Sequence, residues 1–182
     1  MRYQNIVMLF ILSIFSVSVA AGGYADKPTA QASELSKKYV MADESAKPSV
    51  LQDFDHLARD NPDNVNVIRS YTSILSSRGE YEKAISLLEP VNKARNNPSL
   101  LLQECMLKDR INDGDAACYK HVISLSERSG SENMDYLMAL FFTDDGRFEA
   151  EKKKLAASNP SLSRDFVIFD QDKRQLLLSL YP

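Results

Sequence analysis

Tryptophan is absent from this 182-residue sequence, and glycine and proline are scarce, at six and seven residues. That scarcity excludes collagen-like or low-complexity character and argues against a turn-dense sandwich or barrel. Histidine and cysteine number two each, which leaves little material for a metal or redox centre. No Cys-x-x-Cys, His-Glu-x-x-His, Gly-x-Ser-x-Gly, phosphate-binding glycine loop or EF-hand loop is present. A strong charge of one sign is also missing: the net charge is −3 and the isoelectric point about 5.5. Lysine and arginine are dispersed, whereas phosphate binding needs a concentrated cationic face, so nucleic acid is not an expected partner. These absences lead us to expect a non-enzymatic protein with no catalytic residues, no cofactor and no metal.

One long apolar run does exist, and it stands first. Arg2 precedes an apolar to weakly polar stretch from Ile6 to Val19, followed by Ala20, Ala21 and Gly22. Positive start, apolar centre and small residues make an export signal, with candidate cleavage after Ala20, Ala21 or Ala25. Residues 1–21 are therefore expected to be removed. The alternative is a membrane anchor, weakened by Ser13, Ser16, Ser18 and two glycines. No cysteine lies near the processing site, so the expected product is periplasmic or secreted and not a lipoprotein. Any membrane contact would run through an uncleaved signal segment.

Beyond a lead expected to be flexible (residues 22–30), the spacing of apolar residues is helical. Val50, Leu51, Phe54, Leu57 and Ala58 recur with a 3.6-residue period, and Asn61-Pro62 stops the run. Val65 to Leu75 and Tyr81 to Val91 predict a helical pair around Gly79. Leu100 to Arg110 and Ala116 to Arg128 repeat it around Gly114, and Tyr136 to Phe142 and Phe148 to Ala157 around Gly146. No stretch alternates with period two. The fold class is all-α.

The turns carry a longer period. Asn-Pro pairs at 61–62, 97–98 and 159–160 close successive helical pairs, and Gly79, Gly114 and Gly146 lie between the helices of each. A helix–turn–helix unit of about 34 residues is the mark of stacked hairpins. The unit 65–98, with its run from Gly79 to Ile85, resembles the tetratricopeptide repeat. Residues 31–64 fit one period earlier, with Phe54, Leu57 and Pro62 at matching positions, while 99–132 and 133–160 fit more loosely. The resemblance implies a short solenoid over 31–160 with a capping helix over 161–182, whose Leu176, Leu177, Leu178 and Leu180 face the stack. Thr72 departs from the small residue usual in the first helix.

In that register Cys118 falls 34 residues after Ala84, at the close approach of two helices, and Cys105 returns beside it. In an exported chain this implies a disulfide between Cys105 and Cys118. Two alternatives stay open: buried free thiols, and a metal site recruiting His121 and Glu104. His56 lies within helical reach of Asp53 and Asp60, which reads as a solvated face. The charges from Glu149 to Lys154 read the same way.

The resemblance also implies that binding residues project from the first helix of each unit onto a concave wall. Here those include Leu35 and Tyr39, then Asn66, Arg69 and Ser73, then Gln103, Leu107 and Arg110. Leu35 and Leu107 could equally serve packing between units. The implied partner is another envelope or secreted protein, with this chain an assembly factor for a pilus or secretion system. The alternative is a periplasmic immunity protein that neutralises a secreted toxin.

Overall fold

The computed structural model describes residues 26–182; the expected export signal lies outside them. The described chain is α-helical, and among the described residues there is no strand. Helix α1 spans Lys27–Met41, α2 Lys47–Asp60, α3 Val65–Ser77, α4 Tyr81–Arg95 and α5 Pro98–Arg110. Then follow α6 Ala116–Ser129, α7 Met134–Phe142, α8 Phe148–Ser158, a 3₁₀ segment Pro160–Asp170 and α9 Lys173–Leu180. Each α-helix from α1 to α8 packs on the next. The odd-numbered helices also pack on one another: α1 on α3, α3 on α5, α5 on α7. Two rows of antiparallel helices result, the first helices of the hairpins forming one row.

Asparagine and aspartate side chains start these helices. Asn64 accepts from the N–H groups of Asn66 and Val67, Asn97 from Leu100, Asp115 from Ala117 and Asn133 from Asp135. Each satisfies a donor that the first turn leaves unpaired, typically worth about 1 kcal/mol. The same device corrects the expected flexible lead over residues 26–30, its remaining residues 22–25 lying outside the described ones. Asp26 accepts from Thr29 N–H at 2.8 Å and Pro28 occupies the first turn, so Lys27–Ala30 is already helix. Asn64 donates to Asp26 at 3.0 Å, tying the starts of α1 and α3 together.

Three hairpins close in the same way, though not through the three expected glycines. The left-handed residue is Gly79 (φ 75°) after α3, Asn112 (φ 62°) after α5 and Asp144 (φ 52°) after α7. In each, the following N–H reaches back five residues: Glu80 to Leu75, Asp113 to Lys108 and Asp145 to Leu140. Only the first uses glycine, the residue for which a positive φ costs least. Gly114 serves a close approach to Asp109, and a Cβ at Gly146 would stand in open space.

Two cores run through the stack. One, from α1 to α5, holds Phe54, Tyr71, Leu75, Ala84 and Leu88, with the Phe54 and Tyr71 rings stacked 5.5 Å apart. The other, from α5 to α9, holds Tyr119, Val122, Leu137, Leu140 and Leu176. Helix α5 belongs to both. Leu100 and Leu107 enter the first core, and Leu101, Leu102, Cys105 and Met106 the second. A helix apolar all round is one buried all round.

The end of the chain departs from the expected single capping helix. Residues 160–170 form the 3₁₀ segment against α8, with Phe169 buried. Helix α9 then turns back to pack on α5 instead of extending the stack beyond α8. Leu176 and Leu177 are buried, each worth about 1.5–3 kcal/mol. Leu180 is half-buried, whereas Leu178, expected to face the stack, is exposed.

Candidate functional site

The first helices supply the face on which binding residues are expected. On α3, the Asn64 cap sets the helix register, and Asn66, Arg69 and Ser73 stand exposed at i, i+3 and i+7. Asn66 donates to Thr29 Oγ1 at 3.3 Å, so α1 holds it in place. Among the described residues Arg69 has no acidic partner within ion-pair distance. Beneath this exposed row lie Thr72 and Ser76, both buried. Thr72 Oγ1 donates to the Ile68 carbonyl at 2.8 Å, and Ser76 Oγ to the Thr72 carbonyl at 2.6 Å. Thr72 fits a small-residue position because its hydroxyl bonds back to its own helix.

On α1, Leu35 is half-buried against the first core, which makes it a packing residue more than an anchor. Tyr39 is half-buried at the helix end. Its hydroxyl accepts from Arg78 Nη1 at 3.3 Å, and Lys47 lies 5.4 Å from its ring centroid. Arg78 also pairs with Glu80 at 2.7 Å, and these bonds, that to Glu80 first, raise its pKa.

On α5 the expected face is closed. Leu107 is fully buried in the first core, correcting its assignment as an exposed anchor. Gln103 is half-buried and lies 3.2 Å from Thr72 Oγ1, so it joins α5 to α3. Arg110 is occupied as well. Its Nε donates to the Tyr181 carbonyl at 2.6 Å, and its guanidinium stacks 5.0 Å from the Tyr81 ring centroid. Tyr81 Oη in turn donates to the Pro182 carbonyl. With α3 and α7 beside α5 and α4 and α6 behind it, α9 takes the remaining side, the inner one. Tyr181 packs against both cores, and burial pushes its hydroxyl pKa upward.

Cys105 and Cys118 lie at bonding distance as a disulfide, with Cα atoms 5.7 Å apart. The bridge joins α5 to α6, with Cys105 buried and Cys118 half-buried. Sulfurs bonded to each other are not thiolate ligands, and His121 points away as an exposed residue. Beside the bridge, Tyr119 Oη donates to Asp109 Oδ2 at 2.5 Å. Burial first, and then Asp109, raise the Tyr119 pKa well above the ordinary tyrosine value. Gly114 exists for this corner, since a Cβ there would fall 1.4 Å from Asp109 Oδ1.

Other charged groups form structural pairs. Buried Glu104 accepts from Lys108 Nζ at 2.6 Å and Asn92 Nδ2 at 2.8 Å, and Lys108 also reaches Glu89 at 2.9 Å. Burial opposes the charge on Lys108, but its bonds to Glu104 and Glu89 raise its pKa overall. His56 Nδ1 is 3.3 Å from Arg59 Nη2, while Asp53 pairs with Lys38 at 3.2 Å. Among the described residues no three histidine, cysteine, aspartate or glutamate side chains gather to hold a metal ion.

Fold and face together define an all-α, repeat-like stack of helical hairpins with its first-helix row open on α3 and covered by its own chain on α5. The chain matches no protein-family model, no curated protein and no solved structure.

Proposed function

We propose that this protein is an exported, non-enzymatic interaction module of the tetratricopeptide type. Its first-helix face holds a segment of another envelope or secreted protein, in keeping with a role in assembling a pilus or secretion system. The observation that carries this reading is the exposed row Asn66, Arg69 and Ser73 on α3. A cation without an acidic partner among the described residues, flanked by small polar groups on a helix fixed from behind, is a rigid site that costs little to order on binding.

The test is site-specific photo-crosslinking in the exporting cell, with the reactive residue at Ser73 or, as a control, at exposed Lys120 on α6. A discrete adduct from Ser73, lost on Arg69→Glu and not formed from Lys120, supports the reading. Equal labelling from both positions, or none from Ser73, overturns it. A membrane-machinery component in the adduct favours the assembly role, and a soluble one-to-one complex with a toxin favours the inhibitor. Export is checked separately by intact mass, which should show the loss of 20–25 residues.

A further inference from the structure

The inner face of α3 is open, yet the same face of α5 is occupied by the chain's own residues 173–182. We propose that α9 with Tyr181–Pro182 is a releasable internal occupant of this face, displaced by a short amphipathic helix of the partner. The proposal rests on the interaction role given above.

The occupant shows what chemistry the face accepts. Its apolar side offers two adjacent leucines, Leu176 and Leu177, both buried, and Tyr181, which packs on both cores. Its polar contacts at the far end go to main-chain carbonyls, from Arg110 Nε to Tyr181 and from Tyr81 Oη to Pro182. The last carbonyls of any helix lack intrahelical partners. Tyr181 is the C-cap residue and Pro182 lies just past it, so Arg110 receives the helix end itself and the Tyr81 hydroxyl the residue after it. The face thus suits a leucine-bearing helix that runs towards Arg110 and ends there.

The occupant is held lightly for an element that closes a core. At eight residues α9 is too short to be helical alone, so release and melting are one event. Upstream, the 3₁₀ segment buries Phe169 and no other residue, and the connection runs through Gln171 and Asp172 near the surface. The start of α9 is fixed by Lys173, which donates to the Phe142 carbonyl at 3.0 Å and pairs with Asp144, a carboxylate 87% exposed. A short helix with exposed connections lies towards the low-stability end of a fold, and here the two buried leucines are its main hold. Tethering supplies an effective concentration of about 1 mM, so an intrinsic Kd of about 10 µM keeps the face about 99% closed. A free helix of tighter affinity then competes successfully.

The test cuts the tether. A protease site at Gln171 in the full, oxidised chain is cleaved after folding, and the product is diluted onto gel filtration. The fragment starting at Asp172 should separate, while the remaining body keeps its helical circular dichroism and its disulfide. Labelled peptide 172–182 should rebind that body with a Kd of about 1–100 µM, about tenfold more weakly when Arg110 is replaced by Gln. In the uncut chain, Arg110→Gln should hasten amide exchange in 173–181 without altering α3 or α4. A fragment that stays bound through gel filtration at nanomolar concentration overturns the proposal. So does a body that unfolds on release, or one that fails to rebind peptide. Because no partner enters this experiment, a peptide that leaves and rebinds alongside a silent Ser73 crosslinker removes the interaction reading and with it the partner helix, while α9 stands as a releasable segment.

Discussion

Arg110 and Tyr181, 71 positions apart, are joined by a 2.6 Å hydrogen bond from the guanidinium Nε to a main-chain carbonyl. This contact turns a residue expected to meet another protein into one that meets its own chain. It divides the first-helix face into an open half on α3 and a covered half on α5.

The bridge between Cys105 and Cys118 closes a short loop across the α5–α6 hairpin, at a sequence separation of 13. Thiol labelling of denatured, unreduced protein should find no reactive cysteine. Reduction should lower stability by about 3 kcal/mol in the chain-entropy picture, seen as a clear drop in Tm. Two labelled thiols per chain would defeat the assignment.

The hairpin glycines should respond very differently to alanine. Gly79→Ala places a Cβ on a residue with φ of 75° and should cost about 1 kcal/mol. Gly114→Ala forces Asp109 away from Tyr119 and should cost about 1–3 kcal/mol. Gly146 has open space where its Cβ would stand, so Gly146→Ala should be within about 0.5 kcal/mol of neutral. Asn112→Gly, at φ 62°, should stabilise by about 0.5 kcal/mol. Chemical denaturation of the four variants decides the order.

Arg69 and Gln103 occupy matched repeat positions but should behave oppositely. Exposed Arg69→Glu should leave Tm unchanged and weaken the Ser73 crosslink. Gln103→Ala removes one contact of the buried Thr72 hydroxyl, which keeps its bond to the Ile68 carbonyl, and should lower stability by about 0.5 kcal/mol. A Tm loss in the Arg69 variant would place that residue among the structural ones.

The α6–α8 corner predicts the pH dependence. Bonds from the Arg147 guanidinium and N–H hold the Asp145 carboxyl down at about 2. Its stabilising effect is complete above the ordinary value of 3.8 and fades as pH falls towards 2. Screening at this surface pair keeps it below about 1 kcal/mol. Asp145→Asn should flatten that acid limb. Burial pushes the Tyr136 hydroxyl up to about 12, so its contribution is present below 10 and lost as pH rises through 12. Tyr136→Phe should flatten the alkaline limb of a urea-denaturation series.

Much of the architecture was readable from local signals. Helix spans followed from apolar spacing, and their ends from Asn61-Pro62, Asn97-Pro98 and Gly79, because caps and breakers act within a few residues. Asp26 with Pro28 carried the true start of α1 just as locally, although a flexible lead was expected there. The cysteine pairing followed from placing Cys118 one repeat after Ala84, since a hairpin brings fixed positions together.

Tertiary structure decided the rest. Asn112 and Asp144 take the left-handed turn positions, and glycines nearby do not, because loop length between packed helices selects the residue. Leu107 looks like an exposed anchor in the repeat register, yet α5 lies between two cores and buries it, with Leu100 beside it. Above all, α9 could have extended the stack. Leu176, Leu177 and Tyr181 turn back onto α5 because α5 offers apolar surface and the Arg110 donor, and the start of α4 adds the Tyr81 hydroxyl. A 3.6-residue period says that a helix has an apolar side; it does not say which distant surface will cover it.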